Sequence, residues 1–315
     1  LGEGEKKMSV EMYHGERSKE SIQFETLFAS QSNKESFSSI EQTKKFLEQK
    51  GIENTQPYAI GDDVKLISEV QEQTFEGMQV FTLNEQVSQN QKTILYLHGG
   101  AWTNQPLNVH WWFMDKMAQS LGAKVVAPIY PKVPHYSNQD TYPKMLNLYK
   151  DLLKTAGSAN QLTIMGDSAG GNISLGLAHL LKKEDLPQPK DIVLLSACVD
   201  MSMSNPLIFE YAKKDPILGH EGMEVITKMW AADQSLTDPL ISPIYGDFKG
   251  IGKITHFIGT HDMLYPDAIK LDEKLSEQGM DIKTFVYPEM LHVFVVMPIP
   301  EAADALKKII QVINR

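Results

Sequence analysis

Gly166-Asp167-Ser168-Ala169-Gly170 sets a serine between two glycines, an arrangement that can present a hydroxyl as a nucleophile. Leu162-Thr163-Ile164-Met165 before it reads as a strand and Asn172 to Leu181 after it as a helix. The serine therefore falls in the sharp strand-to-helix turn that such a nucleophile requires. Glycines let the chain turn tightly there and leave a helix N-terminus beneath the hydroxyl. With 21 Gly in 315 residues, the pattern arises by chance about 0.1 times per chain, so it needs company.

Company comes from Thr93 to Leu97, a strand that runs into His98-Gly99-Gly100-Ala101-Trp102. Backbone N–H groups of such a loop, with that of the residue after the nucleophile, can hold the oxyanion of an acyl-transfer intermediate. An ordinary Gly-Gly turn is the bland alternative. A base and an orienting acid are then needed, in the chain order Ser, Asp or Glu, His. Asp262 follows the strand Ile254 to Ile258 through Gly259-Thr260-His261, at the strand edge where chemistry gathers in open parallel sheets. Of the nine histidines only His292 lies beyond it. Asp267 is a competing acid, farther from the strand end, and each of these residues could serve as a cap or a satisfied core group. His261 is too near Asp262 in sequence to fold back onto it and reads as structural.

Positioning these groups falls to short apolar runs separated by helix-length stretches: Thr93 to Leu97, Lys124 to Pro128, Leu162 to Met165, Ile192 to Leu195, Ile254 to Ile258 and Ile282 to Val286. The alternation predicts an α/β fold, a mostly parallel sheet with helices on both faces. Val64 to Val70 and Met78 to Leu83 read as a hairpin turning at Glu76-Gly77. Two polar stretches with helical spacing fill residues 8–60, and residues 201–245 interrupt the rhythm as an insertion of the kind that forms lids. The chain closes in an amphipathic helix, Glu301 to Ile313. Trp102, Trp111 and Trp112, just after the glycine-rich loop, could line a pocket or simply fill the core.

Composition narrows the classes. A formal net charge of −10 disfavours a nucleic-acid partner, and no apolar run reaches the length of a membrane span. Without a signal-peptide pattern, the expected location is cytoplasmic. The single cysteine, Cys198, sits among apolar neighbours and reads as a small buried side chain. Residues 1–7, which begin with Leu rather than Met, are set aside. Gly250-Ile251-Gly252-Lys253 lacks the Ser or Thr and the leading Gly of a phosphate loop, and no Cys/His cluster has metal-ligand spacing, so no cofactor or metal is expected.

At this point the sequence resembles the hormone-sensitive-lipase-like branch of the α/β-hydrolases, which includes bacterial carboxylesterases and acetyl esterases. The resemblance covers about residues 60–300 and rests on His98 to Trp102, Tyr130 to Pro134, Gly166 to Gly171, Asp238-Pro239 through Pro243, Gly259 to Asp262 and His292. It implies an eight-stranded mostly parallel sheet in residues 61–315, capped by the helices of residues 1–60 together with the insertion at about 201–245. It implies an oxyanion hole from the backbone of Gly100, Ala101 and Ala169, with Gly99 supporting the loop. Ala101 replaces the usual third glycine, and Val293 replaces the small residue that often follows the histidine. The expected activity is hydrolysis of a small, short-acyl carboxylic ester through an acyl-enzyme on Ser168, with His292 as base and Asp262 orienting it. Amidase or peptidase chemistry would use the same machinery. A non-catalytic receptor for a small molecule is the remaining alternative, although it has no need of a base. A homo-oligomer is left open.

Overall fold

The computed structural model describes residues 9–30, 34–87 and 90–315; residues 1–7, set aside above, lie outside them. Among the described residues one sheet of nine strands organises the chain: β1 Val10–Met12, β2 Val70–Phe75, β3 Met78–Leu83, β4 Thr93–Leu97, β5 Lys124–Pro128, β6 Leu162–Asp167, β7 Asp191–Leu195, β8 Lys253–His261 and β9 Ile282–Leu291. Their spatial order is β1-β9-β8-β7-β6-β4-β5-β3-β2, parallel throughout except where β3 meets β5 and β2. Nine strands correct the expected eight. The extra one, β1, lies in the polar N-terminal stretch, and Val10–Met12 pair in parallel with Thr284–Val286 of β9. A second correction concerns the hairpin, whose first strand begins at Val70 instead of Val64. The backbone before it is satisfied elsewhere: the N–H groups of Ile67 and Ser68 each donate to the Asp115 carboxylate at 2.9 Å. The turn itself falls at Glu76 and Gly77, both with positive φ, as a two-residue hairpin requires.

Helices cover both faces. Along β4, Leu95 and Leu97 join one apolar layer and Ile94 and Tyr96 the other, because successive strand residues point to opposite sides. The first layer is closed by α4 (Asn138–Ala156) and α5 (Ala169–Lys183), the second by α3 (Asn108–Leu121) and α9 (Pro300–Asn314). The remaining helices are α1 (Lys19–Ser30), α2 (Ile40–Glu53), α6 (Leu207–Lys214), α7 (His220–Ala231) and α8 (Tyr265–Glu277). α2 packs on α7, and Phe37 lies against Gly219 and Gly222, so the N-terminal segment and the 201–245 insertion touch.

The order also dictates where a site can form. From β4 the chain crosses to β5 on one side, then returns past β4 to β6 on the other. Connections diverge at this switch point and leave a crevice at the carboxyl ends of β4 and β6. The glycine-rich loop leaves β4 there, and Ser168 follows β6 directly.

Candidate active site

Ser168 stands between the last residue of β6 and the first of α5, with φ 51° and ψ −116°. That left-handed backbone is strained for a residue with a Cβ, and it points the side chain away from the sheet end. The turn can be so tight because of Gly170: a Cβ there would come within 1.7 Å of the Leu97 carbonyl oxygen, so β4 and α5 could not approach. Ala169 is the first residue of α5, so its N–H has no acceptor within the helix.

His292 lies at the end of β9 and Asp262 just after β8. The two strands converge at Gly259, where an added Cβ would sit 2.1 Å from the Met290 carbonyl oxygen. The result is a relay. Ser168 Oγ donates to His292 Nε2 at 2.8 Å, and His292 Nδ1 donates to Asp262 Oδ2 at 2.9 Å. The other carboxylate oxygen of Asp262 accepts the N–H of Leu264 at 2.8 Å. All three side chains are buried. Burial alone would lower the pKa of His292. The Asp262 charge and hydrogen bond, with Asp215 and Asp167 behind them, reverse this and raise it above the ordinary histidine value.

Gly99, Gly100 and Ala101 border the same cleft, a space of about 150 Å³ that also contains Ser168 and His292. Ala101 and Trp102 both adopt left-handed backbone, at φ 55° and 58°. Alanine thus occupies a position that favours glycine, at a cost of about 1–3 kcal/mol per such residue, and a network missed by sequence reasoning holds the loop there. Asp167, next to Ser168, accepts the Gly99 N–H at 2.9 Å, the Tyr96 hydroxyl at 2.8 Å and the His110 Nε2–H at 3.1 Å. His110 Nδ1 accepts the Leu107 N–H, so its one proton sits on Nε2 and faces Asp167. Burial opposes the charge on Asp167, but His110, Tyr96 and Gly99 outweigh it and hold its pKa below the usual carboxylate value. One side chain thereby ties the glycine-rich loop to the serine turn. Its only signal in the sequence was its place beside Ser168.

A second unexpected carboxylate, Asp215, is buried behind the relay. Its oxygens accept the N–H groups of Ile217, Leu218 and Met263, joining the insertion to the Asp262 loop. Burial, then the neighbouring Asp262 charge, push its pKa up to about 6 against the pull of His292 and those N–H groups. Lys34 Nζ donates to the carbonyl oxygens of Asp215 and Ala212, so the N-terminal segment grips the same turn.

Other expected residues lie elsewhere. Asp267 hydrogen-bonds Asn205 at 3.1 Å and stands outside the relay, while His261 pairs with Glu25 at 2.7 Å, in keeping with a structural role. Cys198 is buried as expected, yet its sulfur lies 3.8 Å from Ser168 Oγ. None of the three tryptophans is among the residues bordering the cleft, which corrects their assignment to a pocket wall. Trp102 stacks on Trp230 with ring centroids 5.8 Å apart. Trp111 is buried against Tyr58 and Phe81, and Trp112 faces a separate surface depression. Helical spacing from the loop carried two of them away along α3.

Val293 is a further oddity. A β-branched residue in the left-handed region is rare, yet Val293 has φ 56° and ψ 30°. Its N–H donates to Ser196 Oγ at 3.0 Å, and its side chain borders the cleft.

Comparison with known proteins agrees with this architecture. Residues 94–296 match the family described as having the alpha/beta hydrolase fold. A triacylglycerol lipase of Mycobacterium tuberculosis is 28% identical over 72% of this chain, although the chain spans only 47% of that protein's length. An esterase of Acinetobacter venetianus is 26% identical over 69% of the chain and 72% of its own length. A crystal structure of a presumed esterase from Staphylococcus aureus superposes with a TM-score of 0.84 at 32% identity, covering 89% of this chain and 94% of the other. With its switch-point serine, its matched segment and a solved relative over nearly its whole length, the chain belongs to the α/β-hydrolase fold family.

Proposed function

We propose that this chain is a serine carboxylesterase that hydrolyses short-acyl carboxylic esters through an acyl-enzyme. The observation that carries the reading is the buried relay, 2.8 Å from serine to histidine and 2.9 Å from histidine to aspartate. The esterase and lipase names of its relatives agree with it. Ser168 Oγ attacks the ester carbonyl carbon while its proton passes to His292 Nε2. The carbonyl oxygen becomes an oxyanion facing the backbone N–H groups of Gly100, Ala101 and Ala169, each worth about 3 kcal/mol of barrier lowering in such a site. Collapse re-forms the carbonyl, breaks the bond to the alcohol oxygen and returns the proton from His292 to that oxygen. Water then repeats the sequence on the acyl-enzyme, releasing the acid and restoring Ser168.

Asp262 stabilises the imidazolium formed in each half. The N-terminal helices and the 201–245 insertion act as a cap, with Phe37, Ile217 and Leu218 bordering the cleft from that side. A cleft of about 150 Å³ suits an acyl group of few carbons. A single buried cysteine suits a cytoplasmic setting.

The test is hydrolysis of p-nitrophenyl esters of rising acyl length, with Ser168→Ala and His292→Ala variants shown to be folded by circular dichroism. Turnover that peaks at short chains and falls by about 10⁶-fold in each variant is expected. Absence of turnover, together with no labelling of Ser168 by an organophosphate, would sink the reading.

A further inference from the structure

The space at Ser168 is too small for any but the smallest whole ester. Its volume of about 150 Å³ is below the ~300–1,000 Å³ of pockets that enclose a drug-sized molecule. A larger depression, about 690 Å³, adjoins it and shares Phe37, Leu107, His110, Ile217 and Val293 with it. The two form one concavity, narrow at the nucleophile and broad beneath the N-terminal segment. Phe24 and Phe28 of α1 and Phe46 of α2 line one part of the broad end, and Val296 and Met297 another. Among the described residues Lys50 is its one lysine, arginine or acidic side chain, and its ammonium group pairs with Glu53 at 2.9 Å. A neutral, extended apolar group matches such a lining, because each methylene that enters leaves water.

We propose that the narrow end takes the acyl group and the broad trough takes the alcohol half of the ester, an apolar alcohol of about eight carbons or more. The inference rests on the serine-esterase reading and adds direction and substrate class to it. Direction follows from the proton. The departing alcohol oxygen must receive a proton from His292 Nε2, so the alcohol leaves on the side of Ser168 that faces His292. Val293 follows His292 directly and borders both spaces, and Val296 and Met297 continue from it into the trough. The strained backbone at Val293 fits this placement: the bulky residue keeps an unfavourable conformation at the junction of the two spaces.

Two series of esters, at concentrations where they are monomeric, decide it. Acetates of ethanol, butanol, hexanol and octanol lengthen only the alcohol; ethyl acetate, butyrate, hexanoate and octanoate lengthen only the acid. Along the acetates, kcat/KM should rise about twofold per methylene, since a trough open on one side buries about half of each. Along the ethyl esters it should fall beyond butyrate. Phe28→Ala, which removes part of the lining at a half-exposed site, and Val296→Trp, which fills the trough, should each lower the octyl-to-ethyl acetate ratio several-fold. A preference for long acids over long alcohols overturns the proposal, and so does an octyl-to-ethyl ratio that neither variant moves. Failure of the underlying reading looks different: no acetate is cleaved and an organophosphate leaves Ser168 unlabelled. Cleavage of p-nitrophenyl acetate dependent on Ser168, with a flat acetate series, overturns only the alcohol assignment.

Discussion

Ser168, Asp262 and His292 are buried and joined by oriented hydrogen bonds, and buried Asp167 is bonded in the same way to the glycine-rich loop, whereas Phe24, Phe28 and Phe46, bordering the adjacent trough, are half-buried and meet their neighbours as rings. The first group hangs from the carboxyl ends of β4, β6, β8 and β9; β4, β6 and β8 are paired on both sides, and the end of β9 is held by β8. The second comes from helices laid over the sheet. Bond-making needs positions held to within about half an ångström, which strands and hydrogen bonds supply. Recognition of an apolar group needs only shape and dryness, which loosely packed rings supply. Substitutions in the first region should therefore alter rate for every substrate, and those in the second the choice among substrates.

Three substitutions sharpen the contrast. Asp262→Asn should cost the most, about 10⁴-fold in kcat, because the amide cannot hold the useful tautomer or balance the imidazolium. The loss should be equal for ethyl and octyl acetate; a loss confined to one ester would erase the distinction between the two regions. Asp167→Asn should cost about 10²-fold in kcat with KM little changed, since the amide keeps one oxygen for Gly99 but loses the charge and turns a donor toward the His110 Nε2–H, loosening the tie between the glycine-rich loop and the serine turn. Steady-state kinetics on p-nitrophenyl acetate checks this, and an effect on KM alone would return Asp167 to a purely structural role. Asp215→Asn should cost least in rate and act on pH. As the proposed base, His292 would work only when neutral, so kcat/KM should rise with pH through its raised pKa. Asp215 contributes to that rise, so removing its charge lowers the histidine pKa and moves the acid limb of the profile to lower pH. A limb that moves upward, or stays in place, contradicts the electrostatic link.

The local parts of this arrangement were legible before any coordinates. A glycine-flanked serine between strand and helix is a short-range pattern, and the order Ser168, Asp262, His292 left one histidine to choose. The parallel sheet followed from the alternation of runs. What escaped was set by distant partners. Val10-Glu11-Met12 alternates over only three residues, too few to read as a strand, and its strand exists because residues 284–286 offer a free edge. Val64 to Ser68 has the composition of a strand, but Asp115, on a helix nearly fifty residues later, takes its N–H groups. Asp167 and Asp215 look like ordinary acids until Tyr96, His110 and Met263 are brought beside them. The tryptophans misled because helical spacing from a glycine-rich loop says nothing about which face of α3 turns inward.

The three-residue strand at the sheet's edge has a consequence for which backbone groups stay open to other chains. Without β1, the ten-residue β9 would present an open row of amide and carbonyl groups to any passing extended chain, a second copy included. Val10–Met12 occupy the middle of that row, the N–H of Tyr13 donates to the Val286 carbonyl, and Glu11 sets a charge beside Lys283. A long adhesive edge is thereby traded for a short, charged one. β9 thus carries both features: its edge is covered along Thr284–Val286, and His292 follows directly after Leu291.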